Sequence, residues 1–110
     1  AVRPQDWRFR AGPHGKPFVD RLATRGCGPA VPHFNVTHTP GLVGCAVARH
    51  PLGLDVELRG RRPRHGVRRV AERKFASAEL AELQGLPAEE QARRFVELWT
   101  LKEACVKATG

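Results

Sequence analysis

Between Leu52 and Leu58 the chain reads LGLDVEL, with aliphatic and acidic positions taking turns. Side chains on a strand repeat every two residues, so Leu54, Val56 and Leu58 fall on one side and Asp55 and Glu57 on the other. This pattern predicts a strand. Phe34–His38 (FNVTH) alternates in the same way and predicts a strand end, and the small apolar run Leu42–His50 (LVGCAVARH) predicts a buried strand. Helical spacing takes over later. Ser77 is placed to cap a short helix over Ala78–Gln84, with Glu79 in its first turn and Gly85 and Pro87 to stop it. A longer helix is predicted from Ala88 to Ala108, with Phe95, Leu98, Cys105 and Val106 as its apolar stripe and Gly110 as its end signal. Ala11–Pro17 and Gly26–Pro32 are rich in Gly and Pro and read as turns. Strands mixed with helices in this order give an α/β (α+β) class.

The chain has 110 residues, which suits one small domain or a piece of a larger one. Hydrophobic content of 41% and charged content of 27% are ordinary for a globular protein. No apolar run approaches the roughly 20 residues that span a bilayer, and Ala1–Arg10 lacks an apolar signal core. The expectation is a cytoplasmic protein with no membrane partner. Cys27, Cys45 and Cys105 have no paired spacing, so small buried or half-buried thiols are expected rather than a disulfide framework or a four-ligand zinc site.

Charge changes the picture in one place. The net charge is +8, and Arg59–Lys74 carries eight basic residues against one acid, Glu72. Arginine's rigid donor fork suits phosphate or an acidic protein surface, while a solvated loop without a partner explains the same run equally well. Nucleic acid fits less well, because no aromatic residue interrupts the basic run to stack on bases.

Two carboxylates at i and i+2 of a strand have Cα atoms about 6.5–7 Å apart and can converge on one hard cation such as Mg²⁺. A lone pair of this kind is more often a solvated strand face. Glu103 adds a third acid, on the helix beside Lys107 and on the same face as Trp99. A Glu–Lys pair at i,i+4 is a routine helix-stabilising device, but a tryptophan on that face suggests the wall of a site. Lys16, Thr37 and His38 offer an ammonium, a hydroxyl and an imidazole, all donors suited to phosphate oxygens.

Taken in order, GKP (Gly15–Pro17), FNVTH (Phe34–His38), GLDVE (Gly53–Glu57), FASAE (Phe75–Glu79) and WTLKEACVKATG (Trp99–Gly110) resemble the Sfp-type 4′-phosphopantetheinyl transferases of the holo-[acyl-carrier-protein] synthase superfamily. GKP and FNVTH precede GLDVE here; in the short trimeric synthases the metal motif stands near the start and GKP near the end. The resemblance implies transfer of 4′-phosphopantetheine from coenzyme A to a serine of an acidic apo carrier protein, with 3′,5′-ADP released. It implies that Asp55, Glu57 and Glu103 hold Mg²⁺, with Glu103 and Lys107 as catalytic residues. It also implies that Lys16, Thr37 and His38 bind the nucleotide phosphates. Thr37 stands where many relatives have Ser, which keeps the hydroxyl.

The same resemblance implies a pseudo-twofold pair of α/β halves. Residues 1–52 would then be the C-terminal part of the first half, and residues 53–110 the N-terminal part of the second. The chain is expected to be a fragment. Two other readings stay open at this point: a non-catalytic basic module for an acidic protein or nucleic acid, and a self-assembling half-domain.

Overall fold

The computed structural model describes residues 1–61 and 66–110. Its elements are four short strands, β1 (Phe9–Ala11), β2 (Pro17–Val19), β3 (His33–Thr39) and β4 (Leu42–Ala48), followed by three helices, α1 (Val67–Lys74), α2 (Ser77–Gln84) and α3 (Ala88–Thr109). The mixed α/β class expected from the sequence is the class observed. No helix among the described residues is long and apolar enough to cross a membrane.

The strands form two antiparallel hairpins, β1–β2 and β3–β4. The β1–β2 turn closes through the Gly12 N–H donating to the Lys16 carbonyl at 2.9 Å, with Gly15 at φ +80. In the second hairpin Thr39 pairs with Leu42, which leaves a two-residue turn of Pro40 and Gly41. Proline presets the first turn position and Gly41, at φ +84, supplies the left-handed second one.

The β4 expectation is half corrected. Only alternate positions (Gly44, Ala46 and Ala48) are half-buried, while Val43 is 73% and Val47 67% exposed. The small side chains face inward because they must pass close to residues 52–58: a Cβ on Gly44 would lie 3.3 Å from the Leu54 side chain. The other face is left uncovered by the described chain.

Leu52–Leu58 is not a strand in the described structure. It has the alternating pattern but no backbone ladder: the Leu54 N–H donates to the Asn35 side-chain oxygen at 2.8 Å. The segment lies between the β3–β4 hairpin and α3. Residues 62–65, within the basic loop expected over Arg59–Gly66, fall outside the described residues.

The helices make the core. Ala71, Phe75, Leu83, Phe95, Val96 and Leu98 are buried together, with Trp99 packed against them. Phe75 stacks on Phe95 at 5.3 Å between ring centroids, and Phe95 on Trp99 at 5.9 Å. Helix α3 follows its predicted span, but Cys105 and Val106 at its end are exposed, and Val96 joins the buried stripe instead. The buried stripe ends early because the core that α1 and α2 share with α3 takes in Phe95, Val96, Leu98 and Trp99 and not its last turns. Ser77 is not the cap of α2: it is the first helical residue, and the Glu79 carboxylate accepts from the N–H of Ala76 one residue earlier, at 2.7 Å. The three thiols are unbridged, and Cys45 and Cys105 are exposed rather than buried.

Candidate functional site

Gly53 brings the site together. A Cβ there would stand 1.8 Å from the Ala104 carbonyl oxygen and 2.5 Å from the Ala108 nitrogen, so backbone lies directly on the last turns of α3. Alanines at 104 and 108, four apart on one helix face, leave the groove that receives it. This contact delivers Asp55 to Lys107. The Lys107 ammonium donates to Asp55 Oδ1 at 2.5 Å, and Thr37 Oγ1, buried on β3, lies 3.5 Å from both groups.

Asp55 Oδ2 is also buried, and it has no hydrogen-bond partner among the described residues. An unpaired buried carboxylate oxygen is costly and calls for an explanation. Asp55, Glu57, Thr37, His38, Arg61 and Lys107 line one open cleft of about 620 Å³. The alternation of β3 sends Asn35 and Thr37 inward, both under 5% exposed, and leaves His38 exposed at the cleft edge.

The Glu57 carboxylate, whose side chain is 9% exposed, is held by the guanidinium of Arg61 four residues on. Glu57 raises the pKa of Arg61, chiefly through that hydrogen bond, and the charges of Asp55 and Glu103 push it the same way. Arg61 is therefore where the fields of all three acids meet. Sequence reasoning passed over it, because it lies inside the basic run; its spacing from Glu57 was the available signal. Among the described residues no three His, Cys, Asp or Glu side chains gather closely enough to share a metal ion. Lysine and arginine hold Asp55 and Glu57 instead.

Glu103 is half-buried on α3, one turn before Lys107. Trp99 does two things: it stacks on the core through Phe95, and it borders a small pocket of about 60 Å³ with Glu57 and Arg61. The tryptophan on that face is thus core and wall together.

Lys16 lies apart from this cleft. Its ammonium donates to the Leu52 carbonyl at 3.2 Å and to the Ala108 carbonyl at 3.0 Å. Asn35 was likewise not singled out from the sequence, although its side chain is what fixes Leu54 beside β3.

Comparison with known proteins adds the following. The family model of the 4′-phosphopantetheinyl transferase superfamily matches residues 51–110. The 4′-phosphopantetheinyl transferase gsp of Aneurinibacillus migulanus is 37% identical over 102 residues, covering 93% of this chain and 38% of that protein. The 4′-phosphopantetheinyl transferase HetI of a Nostoc strain is 36% identical over 111 residues, covering 99% and 44%. The 4′-phosphopantetheinyl transferase Sfp of Bacillus subtilis is 32% identical over 105 residues, covering 96% and 42%. The chain thus spans about two-fifths of the length of the curated relatives it matches.

Proposed function

The chain belongs to the 4′-phosphopantetheinyl transferase superfamily, and from there we propose that it forms the part of such an enzyme that holds the coenzyme A pyrophosphate during transfer to a carrier protein. In this reading residues 1–52 end one α/β half and residues 53–110 begin the second, so that β3 and α3 face each other across the cleft. The observation that carries it is the Asp55 carboxylate. One oxygen is held by Lys107; the other is buried without a hydrogen-bond partner among the described residues, and the residue lines a cleft with hydroxyl, imidazole and guanidinium donors on its walls.

Hard oxygen donors and an orphaned carboxylate oxygen suit Mg²⁺, which takes one or two carboxylates and substrate phosphate. Asp55, Glu57 and Glu103 would hold it, and when bound it neutralises charge on the pyrophosphate. The rest is done by the chain. Thr37 and His38 donate to nucleotide phosphates, His38 to the 3′-phosphate. Lys107 stays by Asp55 and places a fixed positive charge beside the oxygens that gain charge as the reaction proceeds. A nucleotide-phosphate role for Lys16 requires its ammonium to share itself with the two carbonyls it now binds.

In the reaction, the serine oxygen of the apo carrier protein bonds to the β-phosphorus. The bond from that phosphorus to the bridging oxygen breaks, and 3′,5′-ADP departs with the electron pair. The serine proton passes to Glu103, directly or through a water. Arg59, Arg68 and Arg69 are exposed and present basic groups suited to an acidic carrier protein. A basic binding module alone explains those groups but not the buried, half-satisfied Asp55.

Intact-mass analysis tests the reading. The full-length protein, coenzyme A, Mg²⁺ and an apo carrier protein are incubated, alongside Glu103→Gln. A phosphopantetheine mass gain, lost with a chelator and in the variant, is expected; no gain with the wild type sinks the reading. Metal binding retained in Glu103→Gln supports the base role, and its loss assigns Glu103 as a ligand instead.

A further inference from the structure

We infer that Lys16 is a positioning residue that fixes the spacing of Asp55 and Lys107 by tying together the two backbone segments that carry them; its kinetic consequence rests on the transferase reading above.

The two carbonyls that Lys16 binds are not arbitrary. Leu52 precedes Asp55 by three residues, and Ala108 directly follows Lys107. Asp55 and Lys107 are 52 residues apart in sequence, and Lys16 lies on a third element, the β1–β2 turn. One ammonium therefore joins three elements, two of which carry the members of the cleft's central ion pair. Its stem runs close past Gly110, with Cδ 3.9 Å from where a Cβ would stand.

The chemistry suits an ammonium. The last four carbonyls of a helix have no partner inside it, and Ala108 is in the last turn of α3 as described. A cation there satisfies a carbonyl and meets the negative end of the helix dipole. The Leu52 carbonyl has no ladder partner either, since residues 52–58 pair with no strand among the described residues. Lysine has three donors to give, and two are used here.

Gly53 makes the tie matter. It lets the backbone of residues 52–55 lie flat on α3, a contact with little directionality of its own. Without Lys16, sliding of one segment along the other would be resisted mainly by the Asp55–Lys107 pair, the very pair whose geometry is to be kept. Because that pair sits at the cleft, a small slip would move the ammonium away from the phosphate oxygens it serves. A misplacement of about 1 Å can cost on the order of a hundredfold in rate.

The test uses the full-length protein with Lys16→Met, which keeps the stem and removes the donors, and Lys16→Arg, which keeps two donors. Amide hydrogen exchange is followed in the last turn of α3 and around residues 52–55. Transfer kinetics are measured below the onset of unfolding, checked by circular dichroism. The clamp predicts faster exchange at both places in Lys16→Met, a kcat lowered about tenfold or more with the coenzyme A KM within about twofold, and partial recovery of both in Lys16→Arg. A raised KM with exchange unchanged makes Lys16 a direct phosphate ligand and overturns the inference. Faster exchange with kcat intact makes it a stabiliser only, which also overturns it. Should the wild type transfer nothing, the transferase reading falls, and unchanged exchange in Lys16→Met would still overturn the tie by itself.

Discussion

The ammonium of Lys107 stands 2.5 Å from Asp55 Oδ1, joining the end of α3 to the segment that follows β4. The Asp55 side chain is 7% exposed and that of Lys107 33%, so the pair is sheltered on one side and wet on the other. Removing the lysine strands a buried carboxylate, with only the distant Thr37 hydroxyl as partner among the described residues. Lys107→Met is expected to cost about 1–3 kcal/mol, less than a fully buried pair because water reaches the lysine. Asp55→Asn should cost less, since an exposed ammonium is solvated more readily than a buried carboxylate. Urea unfolding of both variants and their combination checks this, and the double variant should lose less than the sum. Strict additivity would mean that the pair is not coupled.

Gly53→Ala should be among the most damaging single-methyl changes in the chain. The added Cβ would meet the Ala104 carbonyl oxygen at 1.8 Å and the Ala108 nitrogen at 2.5 Å, backbone atoms that cannot rotate away. Relief requires α3 to move off residues 52–55, which separates Lys107 from Asp55. A loss of at least about 3 kcal/mol in urea unfolding is expected. A near-neutral result would show that the close approach does not persist in solution.

Local pattern made some of this legible and tertiary contact hid the rest. Helix α3 was readable because its period and its stop signals agree, and the predicted span differs from the observed one only at the last residue. The FNVTH strand was readable from alternation. That same logic failed for Leu52–Leu58, because alternation describes which way side chains point and says nothing about whether a neighbouring strand exists to pair with. Asp55 and Glu57 were therefore found as candidate metal ligands, but the pattern alone left a solvated strand face open as the alternative; both side chains are under 10% exposed and each is held by a cation. Helix α1 escaped because five of its eight residues, all but Val67 and the Val70–Ala71 pair, could only be read as charge, and a basic run looks alike in a loop and on a helix. Arg61 was lost in that run. The Lys16 contacts join residues 36 and 92 positions apart, a relationship no local pattern encodes.

Glu79 gives a pH dependence with a definite sign. The Lys102 ammonium, and after it the N–H of Ala76, hold its carboxyl below its ordinary value of 4.5. A carboxyl depressed on folding contributes stability that is complete above the unfolded value and is lost as pH falls through the lower folded value. The difference in urea midpoint between wild type and Glu79→Gln should thus be constant down to about pH 5–6 and shrink below about pH 4.5. The difference isolates Glu79 from the other carboxylates, which titrate in both proteins. A gap that stays constant through acid would mean that the Lys102–Glu79 contact, 2.7 Å long on the helix surface, contributes nothing in solution.

Arg61 should compete with a divalent cation. Its guanidinium holds Glu57, one of the acids proposed as a ligand, and it also feels Asp55 and Glu103. A dication at these carboxylates must displace it from Glu57 and bear its repulsion at short range. The arginine side chain is 61% exposed, so it has solvent to swing into, and the cost of displacement is modest. Arg61→Gln is accordingly expected to bind Mn²⁺, measured by titration calorimetry or electron paramagnetic resonance, about three- to tenfold more tightly than the wild type, equivalent to about 0.7–1.4 kcal/mol. Glu57→Gln should weaken the same binding about tenfold or more, because it deletes a charged oxygen rather than a rival. Weaker binding in Arg61→Gln would show that the arginine organises the acids instead of blocking them. Absence of Mn²⁺ binding at millimolar concentration in both wild type and Arg61→Gln would remove the metal from the proposed mechanism and leave Lys107 and Arg61 as the cations that face the pyrophosphate.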